Sequence, residues 1–315
     1  MNEVGRLSNS VATLGYLFLA QNLVSWLVAS AGSAAIKENL LPALIVGKCR
    51  VAMGLYEEEA GSDALAVSSF ATRARTGYRL SGRKDFITDG AKVDYIIFVT
   101  KSAQDARRGS LSSFIVPTSS KGLKFEETEK MGLDFLRLYS CRFDVYVKKD
   151  AIIGEEGRAW DTLSQVFAMD RIALGSMLVG MGLRLLQAAT ERASTRNVFG
   201  RPVGSNQAIQ FPLAEVYTEL HASRLLVEEC AGMDTRTAEF ATASAGTLYH
   251  SSKWAFRAAD LALQIFGAKG YERGFVESCF RDTRYYRMGP LSQELSLSMV
   301  ARRALNLPSG SNASK

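Results

Sequence analysis

"AWDTLSQVFAMDRIALGSMLVGMGLRLLQAATERAST" fills residues 159–195. Its apolar residues recur at three and four, without proline and without strand-like alternation, which predicts one long helix. A helix with so broad an apolar stripe must bury it against others. The sequence downstream supplies them, because 207–231, 237–266 and 291–305 repeat the period after a break at Asn197–Ser205. Long helices with short connections predict a four-helix bundle.

Upstream of Gly157 the period drops to two. "SSFATRAR" (68–75), Thr76-Gly77 and "YRLSGRKDF" (78–86) read as a hairpin, and "DYIIFVT", "SSFIVP" and "SCRFDVYV" as three further strands. Strands joined by short connections imply an antiparallel sheet or small barrel. Residues 1–47 return to helical spacing, with Gly47 as a stop signal and Pro42 marking a kink or the joint of two short helices. The fold class is therefore α+β. A partial N-terminal helical domain (1–48) leads into a middle β domain (49–150) and a helical bundle (151–307), and a polar tail (308–315) follows.

Composition narrows the function. The 47% apolar and 22% charged fractions describe a globular chain. Four separated cysteines and two histidines leave little for a metal site or a Ser-His-Asp triad, so the cysteines read as buried free thiols. The net charge of +6 is scattered, which argues against nucleic acid as a partner. Polar breaks at Gln21, Asn22 and Ser25 in the apolar N-terminal stretch, and the lack of a basic leader, point to a mature cytoplasmic protein with no membrane span.

Five stretches carry a resemblance. "GLYEEEAGSD" (54–63), "YRLSGRKDFITDGAKVDYIIFVTKS" (78–102), "DAIIGEEGRAW" (150–160), "RNVFGRPVGSNQAIQFPLAEV" (196–216) and "ALQIFGAKGY" (262–271) follow one another in the order found in acyl-CoA dehydrogenases. The chain resembles that family from about residue 10 to 305, with its helix–sheet–bundle order. The resemblance implies FAD and the desaturation of an acyl thioester, carried by CoA or by an acyl carrier protein. It also implies a homodimer or homotetramer, with a hetero-oligomer as the other arrangement.

The resemblance assigns residues as well. Tyr56, Ser62, Phe86 and Thr88 fall where the family holds the flavin and its pyrophosphate; Tyr56 replaces a small hydroxyl residue there. Thr88 would donate to the flavin's polar edge and Phe86 would stack near it. Arg196, Phe199 and Gln207 fall where the family reaches a neighbouring subunit's FAD, and Gln264 and Gly267 on the adenosine side. Read without the resemblance, each is an ordinary turn, core or helix-end residue.

The reactive residue departs from the pattern. Acyl-CoA dehydrogenases usually place a glutamate before the last helix, and its backbone N–H donates to the thioester carbonyl. In "FRDTRYYRMGPLSQELSLSMVARR" (280–303), counting from Arg281-Asp282 puts Pro290 there, and counting from Ser292-Gln293 puts Gly289. Neither is an acid, and proline has no N–H. Some members carry the carboxylate on the first long helix of the bundle, directly before an arginine, and here that position reads Asp170-Arg171. Asp170 is then the expected base, with Arg171 and Gly289 toward the substrate. An aspartate stops about 1 Å short of a glutamate, a misplacement that can cost ~10²-fold in rate. The altered bend and Tyr56 favour an unusual substrate, as in specialised biosynthesis. Two other readings share the fold: a flavin-dependent monooxygenase, and a non-catalytic subunit that completes a partner's FAD site.

Overall fold

In the computed structural model, which describes residues 11–102 and 110–308, two helices precede the sheet. They are α1 (Val11–Ala31) and α2 (Ala34–Ile45). The chain breaks between them at Gly32-Ser33, where Ser33 caps α2 by accepting from the Ile36 N–H, and not at Pro42, which lies inside α2. Gly47 ends the segment at φ 70°, a left-handed turn that suits glycine. Leu14–Ala31 and α3 (Ala159–Thr195) are both long and apolar enough to cross a membrane, so the polar breaks in α1 do not carry the argument placed on them. The α3 stretch is mostly buried inside the protein, as a core helix is, whereas the α1 stretch is mostly not.

The strands are β1 (Val51–Gly54), β2 (Phe70–Ala74), β3 (Gly77–Thr88), β4 (Tyr95–Ser102), β5 (Leu111–Pro117), β6 (Leu123–Thr128), β7 (Leu138–Lys148) and β8 (Ile152–Ile153). The β2–β3 hairpin forms as read, and the sheet runs β6-β7-β3-β2-β4-β5-β8 with β1 against β4. It is not wholly antiparallel: β1 and β2 both pair β4 in parallel. The strands that went unread, β1, β6 and β8, are short or lie at an edge, where alternation leaves little trace.

Among the described residues the chain divides into two compact units. One takes Leu17–Lys130 and Asp134–Phe167; the other takes the chain up to Tyr16, Met131–Leu133 and everything from Ala168 on. In the first, β4 is buried on both faces, which explains its unbroken apolar run. Ile97 and Val99 face a core built with Val24, Leu27, Leu40 and Leu163, while Ile96 and Phe98 face Phe114 and Phe143. The Phe98 and Phe143 rings stack at 4.3 Å. Gln21, which interrupts the apolar run of α1, docks that helix on β1: its amide donates to the Val51 carbonyl at 3.0 Å and accepts from the Val51 N–H at 3.1 Å.

The second unit holds α4 (Gln207–Ala231), α5 (Ala238–Phe266), α6 (Ala268–Tyr271), α7 (Phe275–Tyr285) and α8 (Gln293–Arg303), with a hairpin of β9 (Asn197–Val198) and β10 (Arg201–Pro202). Gly182 lets α3 come close, since a Cβ there would lie 2.6 Å from Leu220 Cδ2 and 3.5 Å from Ala255 Cα. Helix α7 was not expected. Its buried stripe is Val276, Cys279, Asp282 and Thr283, so the period is helical but the chemistry is mostly polar. All four cysteines are buried and free.

Gly77, at the start of β3 between β2 and β7, leaves no room for a side chain: a Cβ would strike the Val147 carbonyl oxygen and lie 3.0 Å from Lys148 Cα. The Gly77→Ala variant is expected to lose about 1–3 kcal/mol of stability, read from the urea midpoint.

Candidate functional site

The first unit carries its candidate residues on a β-bulge. Pairing of β3 with β7 slips between Lys84 and Ile87, so Lys84 and Asp85, which strict alternation would send to opposite faces, are both buried. Lys84 Nζ donates to the Leu55 carbonyl at 3.0 Å and to Glu57 Oε1 at 2.8 Å. Glu57 also accepts from the Ser68 N–H and hydroxyl, each at 2.6 Å, and from the Ser69 N–H at 3.1 Å. Burial alone would raise its pKa, but the Lys84 charge and these hydrogen bonds outweigh it and hold the group at about 2. Asp85 accepts from Ser140 Oγ at 2.7 Å and Arg83 Nε at 2.7 Å, and its own N–H donates to the Tyr56 carbonyl at 2.9 Å. The segment 55–57 is thereby fixed to the bulge.

The bulge turns Phe86 outward at φ 53°, a strained conformation for an aromatic residue of the kind that collects at functional sites. Phe86 is half exposed and meets Tyr56 edge to face at 5.4 Å. Ser62 is exposed beside Gly61, which takes φ 54°. Neither the Ser62 nor the Thr88 hydroxyl makes a hydrogen bond among the described residues. Two exposed rings with two free hydroxyls nearby fit a planar ring system with a polar edge.

In the second unit, Arg196 ends the long helix and leads into a hairpin whose tip, Phe199, stands fully exposed at φ 51°. Gln207 opens α4, and Gln264 and Gly267 close α5, with Gly267 at φ 61° and open space around its Cα. The side chains of Arg196, Gln207 and Gln264 are exposed and unpaired among the described residues. Nothing within the unit holds them, so their donors are available to a ligand or a second chain.

Asp170 behaves differently from any surface acid. It is only 8% exposed. Among the described residues it makes no hydrogen bond and no ion pair. Burial raises its carboxyl to about 7, opposed only by the charge of Arg171. Arg171 turns away, its Nη1 donating to Ser244 Oγ of α5 at 3.4 Å. Burial, with the nearby charge of Arg303, lowers its guanidinium to about 10.

The bend after α7 answers the register question only in part. Pro290 follows a cis peptide, and the Gly289 N–H, expected to be free for substrate, donates to the Tyr285 carbonyl at 3.0 Å. Gly289 therefore offers space and not a donor. Ser292 is used as the cap of α8, accepting from the Leu295 N–H at 3.1 Å, and Gln293 is buried against Ser252 and Arg287. Tyr16, Tyr285 and Tyr286 form a ring cluster, with centroids 5.2 to 6.2 Å apart. The charge of Asp170 reaches both Tyr285 and Tyr286. Arg281 and Asp282 hold the end of α7 by gripping 131–133: Arg281 Nη1 donates to the Met131 carbonyl and the Leu133 N–H donates to Asp282, each at 2.6 Å.

Comparison with known proteins settles the family. A family model for the acyl-CoA dehydrogenase middle domain matches residues 52–145, and one for the acyl-CoA dehydrogenase C-terminal domain matches 157–305. The chain belongs to the acyl-CoA dehydrogenase family. These are FAD-dependent oxidoreductases. Among its relatives, a 3-(aryl)acrylate reductase of Clostridium sporogenes is 31% identical, over 97% of this chain and 81% of its own. Acyl-CoA dehydrogenase FadE12 of Mycobacterium tuberculosis is 28% identical, over 90% and 74%. The solved butyryl-CoA dehydrogenase of Megasphaera elsdenii superposes with a TM-score of 0.89 at 27% identity, over 96% of this chain and 80% of that one.

Sequence reasoning passed over Lys84, Glu57 and Asp85. A lysine and an aspartate side by side in an alternating strand was the available signal, because alternation turns one of two neighbouring charges inward. Removing one partner of the buried pair is expected to be severe: Lys84→Met should cost about 3–5 kcal/mol, and Lys84→Met combined with Glu57→Leu should recover much of it, as calorimetric unfolding would show.

Proposed function

We propose that the protein interconverts a saturated acyl thioester and its α,β-unsaturated form, with Asp170 as the group that exchanges the α-proton. The observation that supports this is the unpaired, buried carboxyl of Asp170 with its pKa near neutrality. A structural carboxylate is paired, as Glu57 is; one left unpaired out of water is poised for proton transfer. At a pKa of about 7 both of its forms are populated at neutral pH, so it can take the proton in desaturation or return it in reduction. The resemblance to a relative named a reductase suits the second direction as well as the first.

FAD, when bound, supplies the hydride acceptor at the β-carbon. Phe86 and Tyr56 would pack on its ring system, Thr88 would donate to the polar edge where reduction concentrates charge, and Ser62 would meet the pyrophosphate. Arg196, Phe199 and Gln207, with Gln264 and Gly267, would serve the pyrophosphate and adenosine of FAD held by a second copy. Exposed Phe211, Tyr217 and Leu225 on α4 favour such an assembly, since large apolar side chains grouped on an outer helix mark contact surfaces. Arg171, partly buried and short of acceptors, suits the carrier side of a CoA or acyl-carrier thioester.

The Asp170→Asn variant is expected to keep FAD and bind acyl thioester while turnover falls about 10²- to 10⁴-fold; full activity would remove Asp170 from the reaction. In the wild type, desaturation requires the carboxylate, so kcat/KM should rise with pH through about 7.

The same group carries a stability signature. Its carboxyl titrates near about 3.9 in the unfolded chain and at about 7 in the folded one, so ionisation opposes folding. That penalty is absent below about pH 4 and complete above about pH 7. The thermal midpoint of Asp170→Asn should therefore exceed that of the wild type by an amount that grows across this window.

A further inference from the structure

Removing the α-proton drives negative charge onto the thioester carbonyl oxygen, and catalysis needs a donor aimed at it. Positions 289 and 290, where the glutamate and its N–H are expected, have no backbone donor to give, since Pro290 lacks an N–H and the Gly289 N–H is bound to the Tyr285 carbonyl at 3.0 Å. A phenol stands at the same place. A Cβ built on Gly289 would lie 3.4 Å from Tyr285 Cε2, Cζ and Oη, so the hydroxyl end of Tyr285 rests against the bend.

Its two aromatic neighbours have different parts. Tyr286 is fully buried, and its hydroxyl has no access to solvent and no partner among the described residues, so it serves as packing behind Tyr285. Tyr285 keeps part of its surface open. Tyr16 meets Tyr285 edge-on, with centroids 6.1 Å apart and planes at 85°, and their hydroxyls are hydrogen-bonded. Together with burial, that bond raises the Tyr285 phenol, so it keeps the proton on Tyr285 and holds the hydroxyl at the bend, from which the proton can turn to an arriving oxygen. Burial pushes the Tyr285 phenol well above its ordinary pKa, which keeps it a donor.

We propose that the Tyr285 hydroxyl donates to the thioester carbonyl oxygen in place of the backbone N–H missing at 289–290, with Tyr16 behind it. Tyr285 transfers no proton; the α-proton goes to Asp170, and the phenol shares its own with the oxygen on which charge collects. The assignment rests on Asp170 as the base.

Calorimetric titration of the FAD-loaded protein with two ligands tests it. One is a saturated acyl-CoA. The other is a 3-oxoacyl-CoA, whose acidic α-carbon lets it bind with enolate charge on the same oxygen. In Tyr285→Phe the 3-oxoacyl-CoA should bind about 10²-fold more weakly and the saturated acyl-CoA less than about 3-fold more weakly. Tyr286→Phe should change neither. Equal losses for both ligands, or none, would overturn the proposal. Should Tyr285→Phe fail to fold, Tyr16→Phe should show the same selectivity at about 3- to 10-fold, and its absence would overturn the proposal equally. A wild type that binds neither ligand defeats the thioester reading itself, and this assignment falls with it. A wild type that binds both while Tyr285→Phe is silent defeats only the role of Tyr285.

Discussion

Taking a carboxylate out of water is costly unless something replaces the water, and the protein meets that constraint in two opposite ways. Glu57 is surrounded by Lys84, Ser68 and Ser69, and stays ionised down to about pH 2. Asp170 is also buried and has no hydrogen-bond or ion-pair partner among the described residues, so it sits at about 7. The first arrangement fixes backbone; the second leaves a proton acceptor unsatisfied.

The paired carboxylate explains why the loop at 54–63 can present Tyr56 and Ser62 at all. A loop that presents side chains outward needs a rigid root. Lys84 and Asp85 supply the root from inside the bulge, and the same bulge sends Phe86 outward. One local irregularity in β3 thus fixes the loop and re-aims the ring. In the helical unit, Arg281 and Asp282 do the comparable work, tying 131–133 to the end of α7 and so fixing where Tyr285 and the bend begin.

Much of this was legible in the sequence because it is periodic. The long helix, the β2–β3 hairpin and the three long strands each bury a regular face, and the family signatures fall in order. Other features were not legible, for physical reasons. Helix α7 uses cysteine, aspartate and threonine where an apolar stripe is expected. The parallel pairing of β1 and β2 with β4 depends on contacts distant in sequence. The loss of the Gly289 N–H is a hydrogen bond to a carbonyl four residues back, which residue identity does not reveal. Asp170 could be located by its place before Arg171, but its isolation could not, because isolation is a property of everything packed around it.

The most direct test is the ionisation of Asp170 itself, separate from turnover. Infrared difference spectra of wild type against Asp170→Asn, taken from about pH 4 to about pH 9, report the protonated carboxyl stretch of this one side chain. With the carboxyl buried and unpaired, a band should persist through mildly acidic solution and disappear with a midpoint of about 7. A midpoint near about 4, the value of a solvated aspartate, would contradict it.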